Sequence, residues 1–136
     1  MSARVIDRVL ARRARHFSPF IVLGAPDLET SLALITDAIE AGVRMIEIGL
    51  PYSDPVADGP EIQMANRRAA GGPGVRERLR RLGAHLAGGS EEVAINLLVY
   101  GNLVHGVGAG AFVDAAAGAG VATLLAPDLG FEEGRG

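Results

Sequence analysis

The arrangement of segments predicts an α/β protein built on a parallel sheet covered by helices. After an opening helix, short β-rich segments alternate with helical ones in a β-α-β-α-β-α-β run. The strand segments are also nearly continuous apolar runs, as in strands covered on both faces, without the strict alternation of a sheet that has one face in water. A third observation shows where function should lie. The stretch "IEIGLPYSDPVADGP" (46–60) sets Glu47 inside an apolar strand and follows it with a loop carrying Asp54 and Asp58. A carboxylate in such a strand is costly unless it is paired, protonated or used.

Each element has its own signal. In the opening helix Val5, Ile6, Val9 and Leu10 fall on one face, which leaves Arg4, Arg8, Arg12, Arg13 and Arg15 as its wet side. "FSPFIVLG" (17–24) reads as the first strand. The helix that follows has Asp27 as N-cap, Leu28, Leu32, Ile35 and Ile39 on one face, and Gly42 as its stop. "RMIEIGL" (44–50) is the second strand, with a loop to Pro60. Helical segments cover roughly 61–70 and 75–87, broken by "GGPG", and "VAINLLVY" (93–100) is the third strand. A Gly-rich loop then leads to an Ala-rich helix near 109–117, and "VATLLAPD" (121–128) is the fourth strand.

Composition removes several chemistries. The chain has 136 residues and a net charge of −3, the size of one domain. Without cysteine there are no disulfides, thiolate metal sites or thiol nucleophiles. All 13 basic residues are arginine, so no lysine exists to form a Schiff base with a carbonyl substrate or to anchor pyridoxal phosphate. No apolar run approaches the roughly 20 residues of a membrane span, so no membrane association is expected and the expected location is cytoplasmic. A second arginine cluster lies at 67–81, yet the acidic balance and 4% aromatic content argue against nucleic acid as a partner. His16, His85 and His105 show no metal-ligand spacing and read as surface or loop residues; no metal site is expected.

Successive side chains of a strand point to opposite faces. Ile46, Ile48 and Leu50 therefore form an aliphatic face suited to packing under helices, while Met45, Glu47 and Gly49 point the other way. The loop with Asp54 and Asp58 leaves the C-terminal end of that strand, where parallel α/β folds place their sites.

"FSPFIVLGAPDLETS", "IEIGLPYSDPVADGPEIQMAN", "LLVYGNLVHGVG" and "LLAPDLGFEE" resemble, in order and spacing, the N-terminal half of the tryptophan synthase alpha chain. The resemblance implies a single truncated domain over residues 1–136, a half barrel of about four strands from a TIM-type (β/α)8 barrel with an N-terminal helix. It implies a lyase of tryptophan biosynthesis that cleaves indole-3-glycerol phosphate to indole and glyceraldehyde 3-phosphate, with Glu47 and Asp58 as its catalytic pair. By the same resemblance Phe20 and Tyr100 line the indole pocket, and Pro51 and Asp54 face a tryptophan synthase beta chain. No cofactor is expected on this chain, since pyridoxal phosphate belongs to that partner. The open barrel edges imply possible self-association.

The chemistry explains why two carboxylates are wanted. Cleaving the bond at indole C3 sends electrons into the ring, and protonating C3 provides the sink. Positive charge then develops toward the ring nitrogen, where a fixed carboxylate such as Asp58 stabilises it. The group that protonates C3 and takes a proton from the side-chain hydroxyl needs a pKa raised toward neutrality, which burial would give Glu47. Rival readings stay open. Glu47 could pair with a structural arginine; Asp58 could serve only a turn or a helix N-cap; Asp54 could cap its loop; Phe20 and Tyr100 could simply fill the core. The whole chain could also be a noncatalytic interaction module docking on a beta chain or another barrel half. Asp128 ends the fourth strand with its role open. Ala25 stands where the family commonly has an aspartate, and "GGPG" before Val75 is unusual.

Overall fold

Strands β1 (Phe20–Val22), β2 (Met45–Gly49), β3 (Ala94–Leu98) and β4 (Val121–Leu125) lie side by side in chain order, every neighbouring pair parallel. The computed structural model describes residues 4–12, 15–89, 92–130 and 132–133. Helix α1 (Val5–Ala11) precedes the sheet, and α2 (Leu28–Glu40), α3 (Pro60–Ala69), α4 (Val75–Leu86), α5 (Gly101–Val107) and α6 (Ala109–Gly118) connect its strands. When each crossover steps one place in the same direction and with the same hand, all the helices fall on one face. A barrel wall is wound this way, whereas an open doubly wound sheet reverses its order and takes helices on both faces. The four strands form half of such a wall.

The helix side holds the core. Ile46 and Ile48 of β2 and Ile95 and Leu97 of β3 are at most 1% exposed and cluster with Leu32 and Ile35 of α2, Leu79 and Leu82 of α4, and Phe112 of α6. The strand periodicity of the sequence holds: Met45 and Glu47 point to the opposite face and are half-buried.

Local chemistry accounts for the element ends. Asp27 caps α2, its Oδ1 accepting from the Thr30 N–H at 2.8 Å, and Gly42, at φ +97°, ends the helix. The first strand is shorter than 17–24. Pro19 offers no N–H and contributes only its carbonyl, to the Glu47 N–H at 2.9 Å, and Gly24 at φ +111° turns the chain away. The stretch expected as a Gly-rich loop after the third strand contains α5 instead. Its first N–H, on Gly101, donates to both oxygens of Asp128 at 2.9 and 3.1 Å, so the helix start is stabilised from 27 residues away.

The second arginine cluster is not all wet surface. Arg78 is 4% exposed and donates from Nε to Pro73 O, from Nη1 to Leu23 O and from Nη2 to Ala69 O, each at 2.6 Å. Burial lowers its pKa from the ordinary value, but a guanidinium stays charged in a protein. The "GGPG" segment has its purpose here, since a Cβ on Gly72 would lie 2.7 Å from Arg78 Nη2. The loop closes over the guanidinium and ties the end of α3 to the end of β1. At the opposite end of the strands α1 packs against β3 and β4 through Val9, 0% exposed, while Arg8 reaches Glu92 at 2.5 Å. Leu10, grouped with the apolar face of that helix, is exposed. Arg13 lies outside the described residues. His85 is half-buried on α4 and shares a hydrogen bond with Thr36 at 2.7 Å, so it is neither a surface nor a loop histidine.

Candidate active site

Register places the polar residues of the inner face in one row. Glu47 is paired with Phe20 of β1 on one side and Asn96 of β3 on the other, and Asn96 is paired in turn with Thr123 of β4. All four are half-buried. Thr123 Oγ1 donates to Asn96 Oδ1 at 2.6 Å. Among the described residues Glu47 makes no ion pair. The Phe20 ring lies across Gly49, where a Cβ would sit 2.6 Å from Phe20 Cζ. Glycine at this position makes room for an aromatic ring one strand step beyond Glu47.

The loop after β2 rises over the C-terminal end of this row. Pro51 is half-buried, Pro55 is buried and Asp54 is exposed. Asp58 does not cap α3, whose N-cap is Gly59 with Pro60 in the first turn. Its carboxylate instead accepts from the Tyr100 hydroxyl, Oη to Oδ2, at 3.1 Å, and the Ala57 N–H donates to that same Oη at 3.0 Å. Tyr100 is 1% exposed. Tyr52 stacks on it with ring centroids 4.9 Å apart and planes at 25°. The Tyr52 hydroxyl accepts from Asn102 Nδ2 at 2.7 Å, and the Tyr52 N–H donates to Asn66 Oδ1 at 2.8 Å. Burial pushes the Tyr100 hydroxyl above its usual pKa, the Ala57 N–H works against this, and the Asp58 and Asp128 charges add to it.

The structure thus sets one carboxylate and an aromatic ring on the inner face of the sheet and a second carboxylate on the loop that leaves the same strand. Such a pair can transfer protons at one atom of a substrate and stabilise positive charge at another. Asn96 and Thr123 were not singled out from the sequence. The signal was there: Asn96 is the lone polar residue of "VAINLLVY", as Glu47 is of its own strand. The roles of Tyr52 and Asn102 carried no such signal.

Among the described residues no group of three or more His, Asp or Glu is placed to hold a metal ion. A cavity of about 640 Å³, lined in part by Thr36, Glu40, Arg44 and His85, lies at the N-terminal ends of the strands, away from Glu47 and Asp58. No described helix is long and apolar enough to cross a membrane.

Residues 6–136 match the family model described as tryptophan synthase alpha chain. The chain is similar to the tryptophan synthase alpha chains of Gloeobacter violaceus, 43% identical over 134 residues, and of Corynebacterium diphtheriae, 37% identical over 131 residues. These alignments cover 97% and 96% of this chain but 48% and 47% of those relatives. Among solved structures it is similar to tryptophan synthase subunit alpha of Legionella pneumophila, with a TM-score of 0.88 at 29% identity over 97% of this chain and 52% of that one. An aminoacrylate- and BRD0059-bound form of tryptophan synthase from M. tuberculosis superimposes with a TM-score of 0.82 at 35% identity, again over 52% of the matched chain. The chain spans about half the length of the curated relatives it matches.

Proposed function

The chain belongs to the tryptophan synthase alpha chain family, and from that premise we propose that it supplies the catalytic carboxylates of a lyase cleaving indole-3-glycerol phosphate to indole and glyceraldehyde 3-phosphate. What supports this reading is a carboxylate, Glu47, on the inner face of β2 and a second, Asp58, on the loop that follows that strand, held by Tyr100 at the end of β3. Glu47 protonates indole C3 and removes the proton of the side-chain hydroxyl. Asp58 receives the ring N–H as positive charge develops there. Phe20 offers its ring to the indole, and Tyr100 stands behind Asp58. The rival reading, a noncatalytic module, has less behind it, because both carboxylates are present and, among the described residues, neither is taken up by an ion pair or a helix cap.

The remaining parts of the reading follow from the half barrel. A phosphate site in such barrels is built by the loops after strands seven and eight, so the substrate phosphate is held by the C-terminal half. Pro51 and Asp54 face a tryptophan synthase beta chain, which carries pyridoxal phosphate, whereas this chain needs no cofactor. The location is cytoplasmic. The free edges of β1 and β4, with Leu124 and Leu125 44% and 53% exposed, take the other half of the barrel, or further copies of the chain when that half is absent.

Glu47→Gln tests the proposal in a barrel completed by the C-terminal half of a relative. The amide is nearly isosteric, so the melting temperature is expected to hold while indole formation falls ~10² to 10⁴-fold. A large loss of stability with activity retained would make Glu47 structural and overturn the reading.

A further inference from the structure

We propose that Tyr100 is the positioning residue for Asp58, its hydroxyl holding the carboxylate in one orientation by a hydrogen bond whose direction the Ala57 amide sets. This rests on the reading that Asp58 meets the substrate, and it gives Tyr100 a task other than lining a pocket.

The direction follows from what each group can do. A backbone N–H only donates, so the Ala57 N–H, 3.0 Å from Tyr100 Oη, occupies the acceptor side of that oxygen. The hydroxyl hydrogen is thereby left for Asp58 Oδ2 at 3.1 Å. Only one carboxylate oxygen is engaged. Among the described residues Oδ1 of Asp58 has no hydrogen-bond partner, which leaves it to accept from a ligand N–H.

Tyr100 is itself held at its ring and at the backbone beside it. Tyr52 stacks on its ring, and Asn102 fixes the Tyr52 hydroxyl at 2.7 Å. Asp128 grips the next backbone N–H, that of Gly101, at 2.9 and 3.1 Å. A phenol 1% exposed and clamped in this way cannot turn to follow a moving carboxylate, so the carboxylate follows it. The charged groups facing the hydroxyl are Asp58 from the loop after β2 and Asp128 from the turn after β4. With burial they raise its pKa, so it stays a donor at neutral pH.

The test uses this chain without substrate. It has two tyrosines and no tryptophan, so tyrosinate absorbance during an alkaline titration reads Tyr52 and Tyr100 alone. Asp58→Asn keeps an acceptor but removes the charge: the tyrosine step that Tyr100→Phe abolishes should move to lower pH, and exchange of the Ala57 amide should stay slow by NMR. Tyr100→Phe should speed that exchange by up to roughly tenfold, the upper size of one neutral hydrogen bond, with the Ile48 and Leu97 amides unchanged, whereas Asp58→Ala should leave it slow because Tyr52 still holds the Tyr100 ring. If Tyr100→Phe does not fold, the two Asp58 variants still decide. Faster Ala57 exchange in Asp58→Ala, which would mean that the carboxylate positions the phenol, or a titration indifferent to Asp58→Asn, would overturn the proposal. Neither result depends on lyase activity, so the proposal can fail while the lyase reading stands, and the reverse.

Discussion

Ile48 and Glu47 are neighbours in the chain and belong to two different halves of the molecule's physics. Ile48 is 0% exposed on the helix side, where α2, α4 and α6 complete a core from residues of this chain alone. Glu47 is half-buried on the inner face, between Phe20 and Asn96, with no helix or strand described across from it. One side of the sheet is thus closed by its own helices and supplies stability. The other is open among the described residues and carries the carboxylate of the proposed site.

This contrast predicts an order of mutational effects. Ile48→Ala should lower unfolding free energy in urea by about 2–5 kcal/mol, through lost burial plus a cavity. Leu98→Ala, on the half-buried inner side, should cost clearly less, roughly 1 kcal/mol; equal costs would mean the inner face is as well packed as the outer one. A smaller effect is expected in alkali. Tyr100 has a pKa raised in the folded state, so its contribution is full at neutral pH and is lost as pH rises through the folded-state value. Tyr100→Phe should flatten that alkaline decline in melting temperature. The smallest effect belongs to Asp27, exposed and lowered in pKa first by the Thr30 N–H and then by the Thr30 hydroxyl. Its contribution is present above the unfolded-state pKa and fades as pH falls through the folded one. Asp27→Ala should therefore lower the melting temperature slightly at neutral pH and not at all in strong acid.

What could be read from the sequence follows the same division. The alternating segments, the Asp27 cap, the Gly42 stop and the two faces of β2 are local signals, and the structure repeats them. The family resemblance placed the half barrel before any coordinates. Features made by distant residues stayed hidden. Helix α5 looked like a Gly-rich loop because its first turn is stabilised by Asp128, and its Gly101 is needed where a Cβ would meet Leu129 Cδ2 at 2.7 Å. Arg78 looks like one more charge in a cluster, since one of the carbonyls it serves, that of Leu23, lies 55 residues away in the chain. The tyrosine clamp on Asp58 joins residues 42 apart in the chain, which no spacing reveals.

The central claim is that the open inner face holds half of an active site whose carboxylates work once the barrel is closed. Indole release from indole-3-glycerol phosphate, measured for this chain alone and after adding the C-terminal half of a relative, tests it most directly. Losing about 5 kcal/mol of phosphate binding should leave the chain alone ~10³ to 10⁴-fold below the completed barrel in kcat/KM. The account predicts negligible release alone, restored release on mixing, and none on mixing with Glu47→Gln. Full turnover by the chain alone, or restored release that Glu47→Gln leaves intact, would contradict it.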